Sequence, residues 1–209
     1  MCNRIRNDIR KANLELKEYG FYEFSETRIR IDFPKAQFDI FPDSKALVIR
    51  LENGAWAVAQ MRWGFPPPPK AAGRPVTNVR NLESPFWRQW LKPEWRCLVP
   101  ATSFAEWTDS RPKKEMWFAK PDGGLFMLAG IWRPWTGERG PKSAPETGEH
   151  QLFAVLTCEP NDVIKPIHAK AMPVMLTRPE QWRAWLEAPV EIAMEMARPA
   201  PEEEVALVA

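Results

Sequence analysis

The sequence predicts an α+β protein that forms a single domain, with a mainly antiparallel, curved or barrel-like β-sheet as its core and a few short helices. Apolar, β-rich runs recur along the chain, and turn residues separate them. One pair of runs is joined by Asn53-Gly54, a dipeptide typical of hairpin turns. The 22 prolines are spread over the whole chain, which favours short elements and ordered loops over long helices.

The strands are predicted in order along the chain. The first hairpin joins "ALVIRL" to "AWAVAQMRW", and later strands lie in "RCLVPATSFAEW", "EMWFAKPDGGLFMLAGIW" and "HQLFAVLTCEP". Within the second of these later segments, Asp122-Gly123-Gly124 predicts another hairpin turn. We expect a surface loop over the proline-rich residues 66–75 and a mobile polar loop over 138–150.

Two segments carry helical signals. "SPFWRQWLKPEW" begins with Ser-Pro and spaces its apolar residues as a helix does, and "TRPEQWRAWLEA" predicts a short helix with Thr177 at the N-cap. We expect one domain over residues 2–190 and a tail over 191–209 whose order the sequence leaves open.

Composition excludes several classes of protein. Its 209 residues fit one sizeable domain, and a net charge of +2 gives no argument for nucleic acid by itself. Three scattered cysteines without a CxxC argue against a disulfide framework, and two histidines make a protein metal cage improbable. No apolar run reaches the length of a membrane span and no segment has the pattern of a signal peptide, so we expect a cytoplasmic protein with no metal or other cofactor.

Cys2 is the first candidate for chemistry. If Met1 is removed, this residue carries a free α-amine and a thiol on adjacent carbons. An α-amine has a pKa of about 8, so part of it is neutral and nucleophilic at pH 7. Such an aminothiol can form a Schiff base with an aldehyde and then close a thiazolidine ring, or it can act as a nucleophile in amide hydrolysis. The alternative is that cysteine at position 2 is incidental.

Two acid–base candidates lie in apolar surroundings. Glu106 is flanked by Ala105 and Trp107; if it is buried, its pKa should rise toward neutrality, whereas an edge strand would expose it to solvent. His168 lies between apolar runs, where a histidine is more often structural than catalytic. His150 falls in the predicted polar loop, and we expect it to face solvent.

Polar and aromatic residues near the proline-rich loop suggest contacts with a polyanion. Asn78 and Arg80 would share one face if "TNVRNLES" is a strand, with Arg80 holding a phosphate and Asn78 fixing a backbone; a solvated loop is the alternative. Trp63 and Gly64 could form a base-stacking shelf, or Trp63 could be a core residue.

The order of these motifs resembles that of the SOS response-associated peptidase family, whose members shield abasic sites by crosslinking to single-stranded DNA. The resemblance covers residue 2 to about residue 186. It rests on Cys2 with Arg4, Trp63-Gly64, Asn78-x-Arg80-x-x-Glu83, Phe104-x-Glu106-Trp107, Ala129-Gly130-Ile131-Trp132, and His168 ahead of Met172-Pro173.

The resemblance implies a mechanism and a role for each matching residue. Met1 would be lost autocatalytically, and Cys2 would attack the ring-opened aldehyde of an abasic deoxyribose to end as a thiazolidine crosslink. Asn78 would hold the Cys2 backbone, Glu106 would shuttle protons, and His168 would assist opening of the sugar ring. The DNA contacts would come from Arg4 and Arg80 at phosphates, with Lys170 in place of an arginine, and from Trp63-Gly64 beneath the flanking bases.

Several positions depart from the family pattern. Asn3 replaces a glycine, Ala105 replaces an aromatic residue before the catalytic glutamate, and Asp39 stands where an asparagine is usual. The chain also ends with "EEEVALVA", which we expect to be short of the family's usual C-terminal strand region. None of these departures falls on Cys2 or on the four polar residues that would act with it.

We therefore expect a monomer that binds single-stranded DNA containing abasic sites, uses no small-molecule cofactor and associates with the nucleoid when bound. Two alternatives stay open at this point. One is a cysteine-type peptidase or amidohydrolase acting on other chains, and the other is a non-catalytic module that binds single-stranded DNA.

Overall fold

A computed structural model describes residues 2–8, 39–67 and 75–208. The described residues form thirteen strands, which are β1 Arg4–Arg6, β2 Asp39–Ile40, β3 Lys45–Glu52, β4 Ala55–Trp63, β5 Asn78–Val79, β6 Arg96–Ala101, β7 Ser103–Trp107, β8 Glu115–Ala119, β9 Phe126–Arg139, β10 Glu146–Cys158, β11 Met172–Pro173, β12 Met175–Leu176 and β13 Ala206–Val208. The α-helices are α1 Pro85–Arg88, α2 Pro179–Glu187 and α3 Val190–Glu195, and short 3₁₀ turns cover Pro93–Trp95 and Glu202–Glu204.

Five long strands close into a barrel. They follow the order β10-β4-β3-β6-β9, and β9 pairs with β10 again to complete the circle. All of these pairings are antiparallel except that of β4 with β10, which is parallel. The α+β class with a barrel-like, mainly antiparallel core is therefore confirmed.

A second, five-stranded sheet lies against the barrel, in the order β13-β8-β7-β1-β2. The chain passes from the barrel into this sheet at Thr102, between β6 and β7. The second sheet sends Ile5, Phe104 and Phe118 into the same apolar cluster as barrel residues such as Val99. This shared core fixes β1, and therefore the start of the chain, against the barrel.

The outer surface of the barrel packs against the helices. A second apolar cluster joins Ile49, Leu98 and Ile131 of the barrel to Trp182 and Trp185 of α2. Alternate residues of β6 divide between the two clusters, as the two-residue period of a strand requires.

The first predicted hairpin is confirmed, and the second is wrong. β3 and β4 pair in register from Lys45↔Arg62 to Glu52↔Ala55, with Asn53 and Gly54 at positive φ in the turn. Strand β8, which precedes Asp122-Gly123-Gly124, pairs with β7 and β13, whereas the strand that follows belongs to the barrel. The turn therefore carries the chain between two sheets, and local turn chemistry cannot reveal which partner a strand will take.

The mobile loop predicted over 138–150 is also wrong, because most of it is a hairpin. β9 and β10 pair as far as Arg139↔Glu146. The carboxylate of Asp43 accepts hydrogen bonds from the Arg139 side chain at 2.6 and 2.9 Å and from the Gly140 amide at 3.1 Å. Lys45 and Arg62 hold the Glu146 carboxylate at 2.8 and 2.6 Å, so ion pairs from another part of the chain stabilise the hairpin tip.

Two smaller predictions need correction. His150 is half-buried rather than solvated: its Nε2 lies 3.2 Å from the Gly137 carbonyl oxygen, and its ring stacks on Trp135. Helix α2 has Arg178 at its N-cap, not Thr177, and the Gln181 side chain accepts hydrogen bonds from the backbone N–H groups of both residues, at 3.0 and 2.9 Å.

The remaining predictions concern the proline-rich segment and the tail. Residues 68–74 of the predicted loop lie outside the described residues. Part of the predicted tail is regular structure, since α3 begins at Val190 and β13 pairs with β8. The tail therefore contains a C-terminal strand, and the boundary at residue 190 stays a prediction. Within the described part of the chain, no helix is long and apolar enough to cross a membrane.

Candidate active site at the start of the chain

Cys2 lies just before β1 and has no exposed surface. The side-chain Nδ2 of Asn78, on β5, donates a hydrogen bond of 2.9 Å to the Cys2 carbonyl oxygen. The Cys2 thiol lies 3.6 Å from the carbonyl oxygen of Arg4. Because β5 pairs with β10 and β1 pairs with β7, these contacts connect the start of the chain to both sheets.

Burial determines the protonation of the thiol. Removal from water raises the pKa of Cys2 well above its ordinary value, and the nearby negative charge of Glu106 raises it further. The thiol is therefore protonated at neutral pH in this environment, and a reaction that uses its sulfur needs a proton acceptor.

Glu106 is buried, so of the two alternatives open for it the structure selects the internal one. Its neighbour Phe104, two residues earlier on β7, also points inward and belongs to the main core cluster. Burial raises the pKa of Glu106 from 4.5 to about 7. A carboxyl with this pKa can both give and take a proton near neutral pH.

His168 faces Glu106 from the segment between β10 and β11. Its Nε2 lies 4.0 Å from the Glu106 Oε2, and its backbone N–H donates to the Ile164 carbonyl oxygen at 2.9 Å. Burial lowers the pKa of His168, the positive charges of Lys170 and Lys113 act in the same direction, and Asp109 opposes them. The imidazole is therefore mainly neutral at pH 7 and can accept a proton.

Arg4 is held by carboxylates. It donates from Nε to Asp39 at 3.1 Å and from Nη1 to Glu115 at 2.8 Å, and its Nη2 also contacts Asp39. Its guanidinium lies over the Trp117 ring, 5.1 Å from the ring centroid. Asp39, which replaces the family's asparagine, also accepts from Arg6 at 2.8 Å. In this arrangement Arg4 joins β1, β2 and β8, and its donors already have anionic partners.

Arg80 and Lys170 have exposed side chains near the site. Arg80 follows the two-residue strand β5 and pairs with Glu159 at 3.2 Å, although both side chains are largely in solvent. Asn78 is buried, so the expectation that Asn78 and Arg80 share one face is wrong; β5 ends at Val79, before the alternation can bring them together.

Trp63 and Gly64 are buried, so the predicted base-stacking shelf is wrong and the core alternative is right. The Trp63 ring lies parallel to Phe153, with centroids 6.1 Å apart, and its Nε1 donates to the Thr77 carbonyl oxygen at 3.0 Å. Gly64 has a φ of +122°, and a Cβ there would lie 2.7 Å from Pro75 Cβ. Trp63 and Gly64 therefore pack against residues 75–77, the segment that leads into Asn78.

The structure places two of the predicted departures from the family pattern, Asn3 and Ala105, close to Cys2 and Arg4. Asn3 is exposed beside the buried Cys2. Ala105 lies between Arg4 and Trp117 in the strand ladder, and its small side chain leaves room for those two larger side chains to meet. Among the residues that the structure describes, no group of three or more histidine, cysteine, aspartate or glutamate side chains could hold a metal ion.

Three features of the site were not found from the sequence. Glu115 binds Arg4 from a position 111 residues away, and Lys113 acts on His168 from the loop between β7 and β8. Thr77 contacts the Asn78 amide through its hydroxyl at 2.8 Å. No local pattern marks Glu115 or Lys113. Thr77, in contrast, directly precedes Asn78 in the sequence, and this position indicates a contact with the amide.

Fold and site together define a class of small mixed β-barrels that hold a thiol at the start of the chain, fixed by an amide and next to a carboxyl and an imidazole. The chain belongs to the SOS response associated peptidase (SRAP) family, whose model matches residues 1–209.

Curated relatives support this membership. The chain is 30% identical over 168 residues to the abasic site processing protein YoaM of Bacillus subtilis, a match that covers 74% of this chain and 69% of YoaM. It is 29% identical over 157 residues to the abasic site processing protein YoqW of the same bacterium, covering 71% of this chain and 66% of YoqW.

Solved structures share the fold. A protein from Bacteroides thetaiotaomicron has a TM-score of 0.72 at 20% identity, with 100% of this chain and 92% of that chain covered. A protein from Bordetella bronchiseptica has a TM-score of 0.72 at 19% identity and full coverage of both chains.

Proposed function

We propose that the protein binds single-stranded DNA at abasic sites and forms a covalent thiazolidine crosslink through Cys2, after autocatalytic removal of Met1. The observation that carries this proposal is the 2.9 Å hydrogen bond from Asn78 to the Cys2 carbonyl oxygen, which fixes the N-terminal thiol in the field of Glu106. The printed names of the relatives, abasic site processing proteins, support the same substrate.

The first step would expose the aminothiol. Hydrolysis of the Met1–Cys2 peptide bond consumes one water, releases methionine and leaves an α-amine on Cys2. Asn78 holds the Cys2 backbone during this step, and Glu106, with a pKa of about 7, accepts the proton of the attacking group and returns it to the leaving amine.

The second step would trap the lesion. An abasic deoxyribose exposes its aldehyde only in the ring-opened form, and ring opening moves a proton from the C1 hydroxyl to the ring oxygen. His168, mainly neutral at pH 7, is suited to accept the proton of this hydroxyl and to return it to the ring oxygen. The α-amine then condenses with the aldehyde and releases water, and protonated Glu106 supplies the proton that the departing oxygen needs.

Ring closure would complete the crosslink. The Cys2 sulfur adds to the carbon of the C=N bond, the thiol proton ends on the nitrogen, and a five-membered thiazolidine forms. No redox change occurs, and no cofactor is required. The buried thiol is protonated before this step, so the proton balance closes within the site.

Phosphate contacts would come from exposed cations around the site. Arg80 and Lys170 have solvent-exposed side chains, and the phosphate oxygens of DNA would compete with Glu159 for Arg80. Arg4 contributes to a phosphate only if it exchanges a carboxylate partner. Trp63 and Gly64 act indirectly, through the segment beneath Asn78. We further propose a monomer that works in the cytoplasm, on nucleoid DNA.

Cys2 has no exposed surface, so a DNA sugar and a second polypeptide would both need the site to open before they reach its sulfur. Experiment therefore has to separate the proposed function from a peptidase that acts on other chains. Incubation with oligonucleotides tests the proposal against a non-catalytic module, and incubation with an added peptide tests it against a peptidase, whose cleavage of that peptide would be lost in Cys2→Ala. Denaturing electrophoresis of wild-type protein with abasic single-stranded DNA should give a shifted band that is absent with Cys2→Ala and with intact DNA. Salt-sensitive binding without any shifted band would contradict the proposal and favour a non-catalytic module.

A further inference from the structure

The amide of Asn78 has two acceptors, and the second of them belongs to Thr77. Asn78 Nδ2 donates to the Cys2 carbonyl oxygen at 2.9 Å and to the Thr77 Oγ1 at 2.8 Å. Both N–H groups of the amide are therefore used, one on each acceptor. Asn78 is 8% exposed, so water contributes little to holding this amide in place.

We infer that Thr77 is a positioning residue for the crosslinking reaction: its hydroxyl anchors the Asn78 amide while that amide holds the Cys2 carbonyl oxygen. This inference rests on the proposed function for its reaction and on the two hydrogen bonds for its geometry. A carbonyl oxygen can only accept, so the Cys2 carbonyl needs Nδ2, and not Oδ1, in front of it. A flipped amide would bring two oxygens together at this point.

The Cys2 carbonyl oxygen selects the orientation of the amide, and Thr77 holds the amide in that place because its hydroxyl accepts the second proton of Nδ2. Without the hydroxyl, that proton would lose its partner in a buried site, and the cost of an unmade hydrogen bond would fall on the productive orientation. In this orientation Asn78 Oδ1 is a buried acceptor without a protein partner in the described part of the chain. The two hydrogen bonds of Nδ2 are therefore the contacts that hold the amide, and the loss of either should loosen it.

The backbone of Thr77 is itself fixed. Its carbonyl oxygen accepts from the Trp63 Nε1 at 3.0 Å and from the Val155 backbone N–H at 3.0 Å. Next to Trp63, the Gly64 carbonyl oxygen accepts from Arg139 Nη1 at 2.8 Å. A continuous set of hydrogen bonds thus runs from the barrel wall through Thr77 and Asn78 to Cys2, and it gives the buried Trp63-Gly64 pair a positioning task.

Thr77→Val removes the hydroxyl and nearly keeps the shape of the side chain, and Thr77→Ser keeps the hydroxyl. Thr157→Val is the matched control, because Thr157 is a buried threonine whose hydroxyl donates to the Val79 carbonyl oxygen at 3.3 Å, one residue beyond Asn78. The measurement is the rate of crosslinking to abasic single-stranded DNA at increasing DNA concentration, which separates the limiting rate from the half-saturating concentration.

We expect Thr77→Val to lower the limiting rate by about twofold to tenfold, the range that one neutral hydrogen bond supplies, with an unchanged half-saturating concentration. Thr77→Ser should restore the rate to within about twofold of wild type, and Thr157→Val should leave it unchanged. Equal rates for Thr77→Val and wild type would overturn the inference. Equal loss in Thr77→Val and Thr77→Ser would also overturn it, because the hydroxyl would then be irrelevant.

A second measurement does not depend on the reaction or on the folding of the valine variant. In wild-type protein, NMR should show both side-chain N–H protons of Asn78 protected from exchange with solvent, and in Thr77→Ser both should stay protected. Rapid exchange of one of the two protons in the wild type would refute the fixed amide. If the wild type forms no adduct at all, the proposed function fails, and this NMR result still decides whether the Asn78 amide is anchored.

Discussion

At the scale of single residues, burial gives the site its acid–base character. Glu106 and His168 lie 4.0 Å apart, and removal from water moves the pKa of the carboxyl up and that of the imidazole down. The carboxyl therefore has a higher pKa than the imidazole, the reverse of their order in solution. Each can exchange protons near neutral pH, as the proposed Schiff-base chemistry requires.

Glu106→Gln should change how stability depends on pH. Between pH 4.5 and about 7 the unfolded chain loses the Glu106 proton while the native protein keeps it, so the unfolded state binds fewer protons and the free energy of unfolding falls as pH rises. We expect Glu106→Gln to lack this fall, which amounts to about 2 to 3 kcal/mol. Urea denaturation of both proteins at pH 5 and pH 7 measures it, and parallel pH dependences would refute the raised pKa.

Asp39→Asn should tighten the binding of single-stranded DNA. The change frees donors of Arg4 and Arg6 from a competing carboxylate and removes one negative charge beside the site. Since partly exposed ion pairs are weak, we expect up to about fivefold higher affinity for an intact oligonucleotide. Glu52→Gln at the β3–β4 turn removes the same charge and is the control. Weaker binding by Asp39→Asn in fluorescence anisotropy would contradict this expectation and would mean that the ion pair between Arg4 and Asp39 holds Arg4 in its DNA-binding position.

The element scale separates what the sequence could predict from what it could not. The β3–β4 hairpin follows from local signals, because Asn53-Gly54 joins two runs of strand-forming residues. The pairing partners of β8 and β9 cannot be predicted from local signals, because both strands are apolar and they pair with distant parts of the chain. The hairpin over 138–150 looks like a loop in sequence, and only its contacts with Asp43, Lys45 and Arg62 reveal why it forms.

The same division holds for the site. Cys2, Asn78, Glu106 and His168 were found because the order of several motifs matches a family, although no single one of them was decisive. The carboxylates that hold Arg4 come from 35 and 111 residues away, and a spacing of that kind carries no local signal. Burial of Trp63 could not be read from the sequence either, because a tryptophan at a strand end fits both a shelf and a core.

Gly64→Ala should destabilise the segment between β4 and β5. The φ of +122° is unfavourable for alanine, and the added Cβ would lie 2.7 Å from Pro75 Cβ. We expect the free energy of unfolding to fall by about 1 to 3 kcal/mol, and crosslinking to become slower. Gly54→Ala is the control, since Gly54 also has positive φ but no atom within 4 Å of a new Cβ. Equal losses in chemical denaturation would show that the contact with Pro75 has no effect.

At the scale of the whole molecule, positive and negative charges nearly balance, with 29 Lys and Arg residues against 27 Asp and Glu residues. The net charge is only +2, so the proposed DNA binding would depend on a few cations near the site and not on a general positive field. The exposed Arg80 and Lys170 are the best placed of the residues considered, and Arg4 would add a third contact after exchanging a carboxylate.

Salt dependence should reflect this small number of contacts. With two or three phosphates neutralised, the logarithm of the association constant for intact single-stranded DNA should fall against the logarithm of salt concentration with a slope of about −1.5 to −2. Arg80→Ala should make the slope shallower by about 0.7. A slope of −5 or steeper in a titration followed by anisotropy would require a much larger basic surface than this account contains.

The central claim is that Cys2, freed of Met1, becomes covalently joined to an abasic sugar. The most direct measurement is mass spectrometry of the N-terminal peptide before and after incubation with abasic single-stranded DNA and nuclease digestion. We predict a peptide that begins at Cys2 and gains the mass of the ring-opened sugar with its phosphate, less one water, with no free thiol remaining. A peptide that still begins with Met1 in protein competent to crosslink, or an adduct on any residue other than Cys2, would contradict the account.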